Sequence, residues 1–484
     1  MKKGQEYSGK VRQLAFPNKG IADVDGIDVV VKNTIPGQEV SFILNKNKPG
    51  LKEGRLTRIL KRSELECMAG CSVHDRCGGC IYQTIGYEDE LKLKEQMILS
   101  MMDKALKGLG ISVYDIYEGI TGSPVSEGYR NKMEFSFGNE VKDGPLTLGM
   151  HVSGHYMDVI DTQDCNIVDP DFLKIRQKVE EFAKEQGLPF YNRLSNTGYL
   201  RNLLIRKGRE TGEILVDLVT SSECCLRDDL FVEVLRDLDL EGSITGILNT
   251  INDSLSDAVN DDDTRVLYGR DHIYDVVLGY RFGISVFSFF QTNTLGAGLL
   301  YSKVREYITG IGKQNGGIVY DLYSGTGTIA QIVSDAADRV YGIEIVPEAV
   351  EAARKNAEYN GIRNVSFLCG DVFKTLDEVE EKPEIIILDP PRDGVSPKAL
   401  AKILAYGVDN IIYIACKPTS LARDLPVFYK EGYIPARMSV IDMFPRTANM
   451  EVVSLLQKTG STRERTIAPD ADMEDCHRET TERS

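Results

Sequence analysis

From about residue 287 onward the chain sets short apolar runs between amphipathic stretches. Runs at 318–322, 340–343, 365–368, 385–388 and 410–415 are almost continuously apolar. Such runs predict strands of a parallel sheet, where both faces are covered and the usual alternation is lost. Helical stretches separate most of them. The clearest is introduced by Pro347 and stopped by Asn360-Gly361, the residue types that favour a helix start and a helix end. A last apolar run, 452–456, predicts one more strand. Repeated strand–helix alternation predicts an α/β fold with a doubly wound sheet of Rossmann type.

The N-terminal stretch reads differently. Between Tyr7 and Leu60, runs such as Ile27-Asp28-Val29-Val30-Val31 and Glu39-Val40-Ser41-Phe42-Ile43-Leu44 are punctuated by Gly20, Gly26, Pro36-Gly37 and Pro49-Gly50. This predicts a small OB-like β-barrel, a form whose surface often holds single-stranded nucleic acid. Residues 66–283 mix strand and helix signals, as expected of an α+β region. Tyr129 to Phe137 and Leu200 to Arg206 interleave basic with apolar or aromatic side chains, a pattern suited to phosphates and stacked bases and equally to a solvated sheet face. After Thr459 periodicity is lost. We divide the chain into a barrel (1–63), a central region (64–285), a C-terminal α/β domain (286–458) and a disordered tail (459–484).

A length of 484 residues agrees with two to four domains. The start, Met1-Lys2-Lys3-Gly4-Gln5-Glu6, lacks the apolar stretch of a signal peptide, and no run approaches a membrane span. A cytoplasmic protein is expected, and ten cysteines there point to metal or catalysis before disulfides. The formal charge of −16 argues weakly against nucleic acid, but the first sixty-odd residues are basic and acidity is concentrated elsewhere.

Candidate chemistry gathers at the predicted strand ends. Asp321-Leu322-Tyr323-Ser324-Gly325-Thr326-Gly327-Thr328 is a glycine-rich turn between strand and helix. It lacks the Gly-Lys-Ser/Thr of a phosphate loop and the full G-x-G-x-x-G of a dinucleotide site. Glu344 ends the next strand, where a carboxylate can grip ribose hydroxyls. Asp371 follows the third strand and can meet an adenine amino group. Together these residues resemble the S-adenosylmethionine site of class I methyltransferases.

Asp389-Pro390-Pro391-Arg392 follows the fourth strand. An arginine after the paired prolines, where enzymes methylating exocyclic amines usually carry an aromatic residue, disfavours that chemistry. A pyrimidine C5 is a poor nucleophile. It takes a methyl group once a thiolate has added to C6, and a base must then remove the C5 proton. Cys416, ending the run 410–415, is the best-placed thiol, ahead of Cys369 beside Asp371. Glu451, at the head of the last apolar run, can face the same crevice. Cys71, Cys77, Cys80 and the distant Cys165 supply four thiolates, with Cys67 nearby; their spacing leaves an iron–sulfur cluster and zinc both open.

From Tyr7 to Leu456 the chain resembles the RNA uracil-5-methyltransferases, particularly the bacterial 23S ribosomal RNA enzymes with an N-terminal TRAM domain and an iron–sulfur cluster. The resemblance is carried by Ser288-Phe289-Phe290-Gln291-Thr292-Asn293, the glycine turn, the Asp389 motif, Cys416 with Thr419 to Leu425, and Asp442 to Glu451. It implies Cys416 as nucleophile and Glu451 as proton acceptor. Gln291, Tyr323, Glu344 and Asp389 would surround S-adenosyl-L-methionine, and Asp389 would also help to place the uracil. It further implies a [4Fe–4S] cluster on Cys71, Cys77, Cys80 and Cys165, an RNA partner (23S rRNA, with tRNA as the alternative), and a monomer. Two positions depart from the family pattern. Lys417 stands where asparagine is common, and Asn449 where histidine is. Lys417 is expected either to lower the thiol pKa or to meet RNA phosphate. The departures also motivate a rival reading as a non-catalytic RNA-binding homologue. A redox enzyme is a second rival, without a flavin or nicotinamide fingerprint.

Overall fold

The computed structural model describes residues 1–255, 263–311, 317–376 and 379–459, so the predicted tail lies almost wholly outside the described residues. Its C-terminal half is an eight-stranded sheet. The strand order is Val365–Cys369, Arg339–Glu344, Ile318–Leu322, Ile385–Leu388, Asn410–Ala415, Glu451–Lys458, Tyr433–Ile441, Tyr117–Thr121. All six apolar runs singled out in the sequence fall on strands of this sheet. The first five are parallel. Glu451–Lys458 then runs antiparallel to Asn410–Ala415 and to Tyr433–Ile441, so the sheet is mixed where a parallel one was expected. Asn410–Ala415 is buried along its whole length, and each buried isoleucine there contributes roughly 1.5–3 kcal/mol.

Three pieces of the stretch 64–285 join this unit. Tyr117–Thr121 pairs in parallel with Tyr433–Ile441 as the edge strand. The helix Tyr87–Lys107 buries Leu93, Met97, Ile98 and Met102 in the same core as Tyr413, Phe428 and Tyr433. The hairpin His272–Val277 and Tyr280–Ser285 packs with helix Thr294–Gly310 in the core on the opposite face.

The remainder of the central region is a seven-stranded sheet, antiparallel except for one pair, covered by helices Pro170–Glu185 and Asp228–Arg236. The first five strands, between Glu6 and Lys61, close into a barrel around Val11, Val29, Val31, Val40 and Phe42. Leu14 and Ile35 extend from it into the large core.

The helix Pro347–Tyr359 begins with proline and ends at Asn360 and Gly361, whose φ of 67° is the left-handed conformation favoured after a helix. That part of the sequence pattern was sufficient by itself.

Candidate active site

Strand register builds the site. Leu322 pairs with Ile343 and with Leu388, Leu388 pairs with Tyr413, and Glu344 pairs with Cys369. The carboxyl ends of five parallel strands therefore finish nearly level, and the residues just beyond them line one crevice, the usual ligand position in open α/β sheets. Ala415 pairs with Val452 in the antiparallel step, so the next residue pair across that ladder is Cys416 and Glu451. Asp389 lies one position beyond Leu388, on the neighbouring strand.

The glycine turn occupies the middle of the crevice. Tyr323 N and Ser324 N donate to Ile343 O at 3.0 and 3.1 Å, which folds the chain back after its strand. Tyr323, Gly325 and Gly327 all take positive φ. At Gly327 a Cβ atom would meet the Phe367 ring at 2.5 Å, so both conformation and space require glycine. Glu344 supports the turn: Oε2 accepts from Gly325 N at 3.0 Å, and Oε1 accepts from Ile345 N and Val346 N at 2.8 and 3.0 Å. Burial and the nearby Asp371 push the Tyr323 hydroxyl above its ordinary range, so the structure brings Tyr323, Glu344 and Asp371 together. Gln291 is buried in the loop before helix Thr294–Gly310. Asn131 clamps that loop, donating through Nδ2 to Gln291 O at 2.9 Å and through its amide to Thr292 O at 2.9 Å. Arg206 donates to Val286 O at 3.0 Å and to Ser288 O. Thr326 of the turn donates to Phe289 O at 3.4 Å, which lays the loop over the turn.

Three buried polar atoms in this region, Asp321 Oδ1, Ser324 Oγ and Glu451 Oε2, have no partner among the described residues. Buried polar groups are nearly always satisfied, and a polar ligand would satisfy these. The residues thus fit a nucleoside-bearing donor.

The electrostatics follow from burial. Asp389 is pushed up to about 7 by loss of water. Asp321 and Glu451 are raised well above the carboxylate range, by burial first and then by the charge of Asp389. The Cys416 thiol is pushed up to about 11 by burial, with Glu451 and Asp389 adding to the shift. Arg392 acts in the opposite direction on both Cys416 and Glu451. The expected influence of Lys417 on the thiol is not what the structure shows. Lys417 is exposed, and its carbonyl accepts from Ser420 N and Oγ at the start of helix Pro418–Lys430. Arg392, read in the sequence only as evidence against amine methylation, is a cation that acts on both Cys416 and Glu451. Tyr301, not singled out in the sequence, is buried where Asp389, Glu451 and Asp321 all act on its hydroxyl.

Cys71, Cys77, Cys80 and Cys165 converge although Cys165 is distant in sequence. Cys165 is pushed up to about 12 by burial and by the other three thiols; Cys80 is pushed up to about 11 by burial, Cys77 and Cys71. Cys67 is exposed. Among the described residues no group of three or more His, Cys, Asp or Glu side chains is arranged to hold a metal ion. The expected metal centre is therefore not supported as a ligand set.

Residues 266–459 match the family described as tRNA (Uracil-5-)-methyltransferase. A Clostridium tetani protein described as an uncharacterized RNA methyltransferase is 43% identical, covering 95% of this chain and 99% of its own. One from Caldanaerobacter subterraneus subsp. tengcongensis is 42% identical, covering 95% and 100%. Among solved structures, the Pyrococcus abyssi tRNA (uracil-54, C5)-methyltransferase in complex with S-adenosyl-L-homocysteine has a TM-score of 0.71 at 24% identity. It covers 93% of this chain and 100% of its own. That likeness shows the fold. With these relatives aligned over 95% of its length, the chain belongs to the RNA uracil-5-methyltransferase family, whose members depend on S-adenosylmethionine.

Proposed function

We propose that the protein methylates C5 of a specific uridine in 23S ribosomal RNA. The observation that carries the reaction is the register that sets Cys416 across from Glu451, with Asp389 one strand away. Cys416 adds through sulfur to C6 of the uracil, which leaves C5 enolate-like. S-adenosylmethionine supplies the methyl group. Glu451 takes the C5 proton, the C5=C6 bond re-forms, and Cys416 leaves as thiolate. Asp389, held near neutrality, can donate or accept a hydrogen bond at the uracil or meet the donor's positive charge. Tyr323, Gln291, Glu344 and Asp371 hold the donor.

The barrel, the seven-stranded sheet of the central region and the C-terminal sheet, with the helix, edge strand and hairpin that join it from 64–285, are read as separate domains, with RNA bound across the first two. Arg55, Arg58, Lys61 and Arg62 are exposed on or beside the barrel strand Leu51–Lys61, alongside the partly exposed Ile59 and Leu60. Cations interleaved with apolar side chains suit a nucleic-acid surface, and a TRAM-like role for the barrel follows. A [4Fe–4S] cluster on Cys71, Cys77, Cys80 and Cys165 is part of the proposal. What supports it is that the four thiols lie close enough to raise one another, Cys165 feeling Cys80, Cys71 and Cys77.

Transfer RNA is the second reading. It is favoured by the description of the matching family and by the name of the Pyrococcus abyssi enzyme. Mass-spectrometric mapping of 5-methyluridine in cells lacking this chain separates the two. The proposal requires loss of one or more sites in 23S rRNA. Intact rRNA with loss at a tRNA position overturns it in favour of the second reading.

A further inference from the structure

Five residues before Glu451, Arg446 is held on every side. Its carbonyl accepts from Ile81 N at 2.7 Å and from Tyr82 N at 3.1 Å. Its amide donates to Glu90 Oε1 at 2.7 Å, and its guanidinium donates to Ile85 O at 2.6 Å. Its φ of 69° lies in the left-handed region, which a residue other than glycine keeps only where its surroundings over-determine it.

The same loop is gripped at Asp442. Lys94 Nζ donates to Asp442 Oδ1 at 2.9 Å and to Phe444 O at 3.3 Å, and Tyr87 OH donates to Asp442 Oδ2 at 3.0 Å. Lys94 also pairs with Glu90 at 2.8 Å, and the side chains of Lys94, Glu90 and Asp442 are each 0% exposed. Burying such charges costs several kcal/mol per ion, which their mutual attraction repays only in good geometry. Apolar side chains would fill the space at no greater cost. The ionic arrangement ties the loop 442–446 to helix Tyr87–Lys107 and to the segment that follows Cys80. That loop leads into Glu451, the first residue of strand Glu451–Lys458, whose backbone pairs with Ile441 at the loop's other end. Cys416 follows directly on strand Asn410–Ala415 and touches none of these ionic groups.

We propose that Lys94, acting through Asp442 and Arg446, is a positioning residue for Glu451, and that it governs elimination while leaving addition intact. The inference rests on the reaction proposed above. In the governed step the Glu451 carboxylate takes the C5 proton and the C–H electron pair forms the C5=C6 bond. The C6–S bond breaks with its electron pair on Cys416 sulfur. Loss of Lys94 leaves Asp442 buried without its cation and Glu90 with only the Arg446 guanidinium at 3.6 Å, so the loop relaxes toward water and Glu451 shifts from its place at C5.

The test uses the full chain with Lys94→Met and, as a variant that keeps the side-chain shape but removes the charge and one accepting oxygen, Asp442→Asn. The substrates are an RNA transcript that the wild type methylates and the same transcript carrying 5-fluorouridine, both with S-adenosylmethionine. Adduct formation on the fluorinated RNA is expected within about threefold of wild type. On ordinary RNA, release is expected to slow by at least about tenfold, so that a denaturation-resistant adduct accumulates. A merely structural defect would lower both rates by one factor, and that result overturns the proposal. So does wild-type release in a folded Asp442→Asn protein. A wild type that forms no adduct on fluorinated RNA overturns the underlying reaction, and this inference with it.

Discussion

The Cys416 thiol should respond in opposite directions to two substitutions. In the free protein it is pushed up to about 11, so at pH 8 only about one molecule in a thousand carries the thiolate. Burial is the largest cause; Glu451 and Asp389 raise the value further and Arg392 lowers it. Arg392→Gln removes the lowering charge. A unit charge at roughly 6 Å in an effective dielectric of about 20 is worth about 3 kcal/mol. Arg392 is exposed, so water screens it and about 1 kcal/mol remains, a fivefold loss of thiolate. Glu451→Gln removes a raising charge instead, and thiolate should increase about threefold to tenfold. The gain should grow with pH, because the Glu451 carboxyl itself ionises only well above the usual range. The assay is iodoacetamide alkylation between pH 7 and 10.5, followed on the Cys416 peptide by mass spectrometry because the chain has nine other cysteines. Equal shifts in one direction, or a wild-type thiol titrating near 9 or below, would refute the reasoning.

Other parts of the account are open to direct test. Asp389 is held at about 7 when folded and near 4 when unfolded, so between these values the unfolded chain binds fewer protons and stability falls as pH rises. Asp389→Asn should therefore raise the melting temperature at pH 8, by up to about 4 kcal/mol in stability, and have no such effect near pH 4 while activity is lost. Gly327→Ala places a methyl group against Phe367 at a positive φ, and calorimetry should show donor binding weakened at least tenfold with helix content retained. Anaerobic purification should yield about four irons per chain and broad absorbance near 400 nm. Replacing Cys165 with Ser should abolish both, and stoichiometric zinc in the wild type would exclude the cluster.

Much of this is legible in the sequence. The strands ending at Leu322, Leu388 and Ala415 are buried along almost their whole length, and burial on both faces leaves a nearly continuous apolar run. The strand Tyr117–Thr121 left no such mark, because Tyr-Glu-Gly-Ile-Thr becomes a strand only by pairing with a segment more than three hundred residues away. Cys416 and Glu451 could each be placed at a strand end. Their opposition depends on an antiparallel register that local sequence does not encode. Lys94 was missed for a different reason: a charged residue in Leu-Lys-Leu-Lys-Glu reads as solvated. Its signal was positional, since Glu90 and Lys94 fall on the helical stripe that buries Leu93, Met97 and Ile98. Arg392 was noticed but assigned only a negative meaning, because a loop's direction cannot be read from its residues.

The central claim is that Cys416 forms a covalent bond to the uracil and Glu451 releases it. Its most direct measurement is the mass of the denatured protein after incubation with S-adenosylmethionine and an RNA containing 5-fluorouridine. The account predicts a protein–RNA adduct attached at Cys416, absent from Cys416→Ala, and an adduct on ordinary uridine RNA that accumulates with Glu451→Gln and not with the wild type. Methylation of that RNA by Cys416→Ala, or an adduct at any other residue, would contradict it.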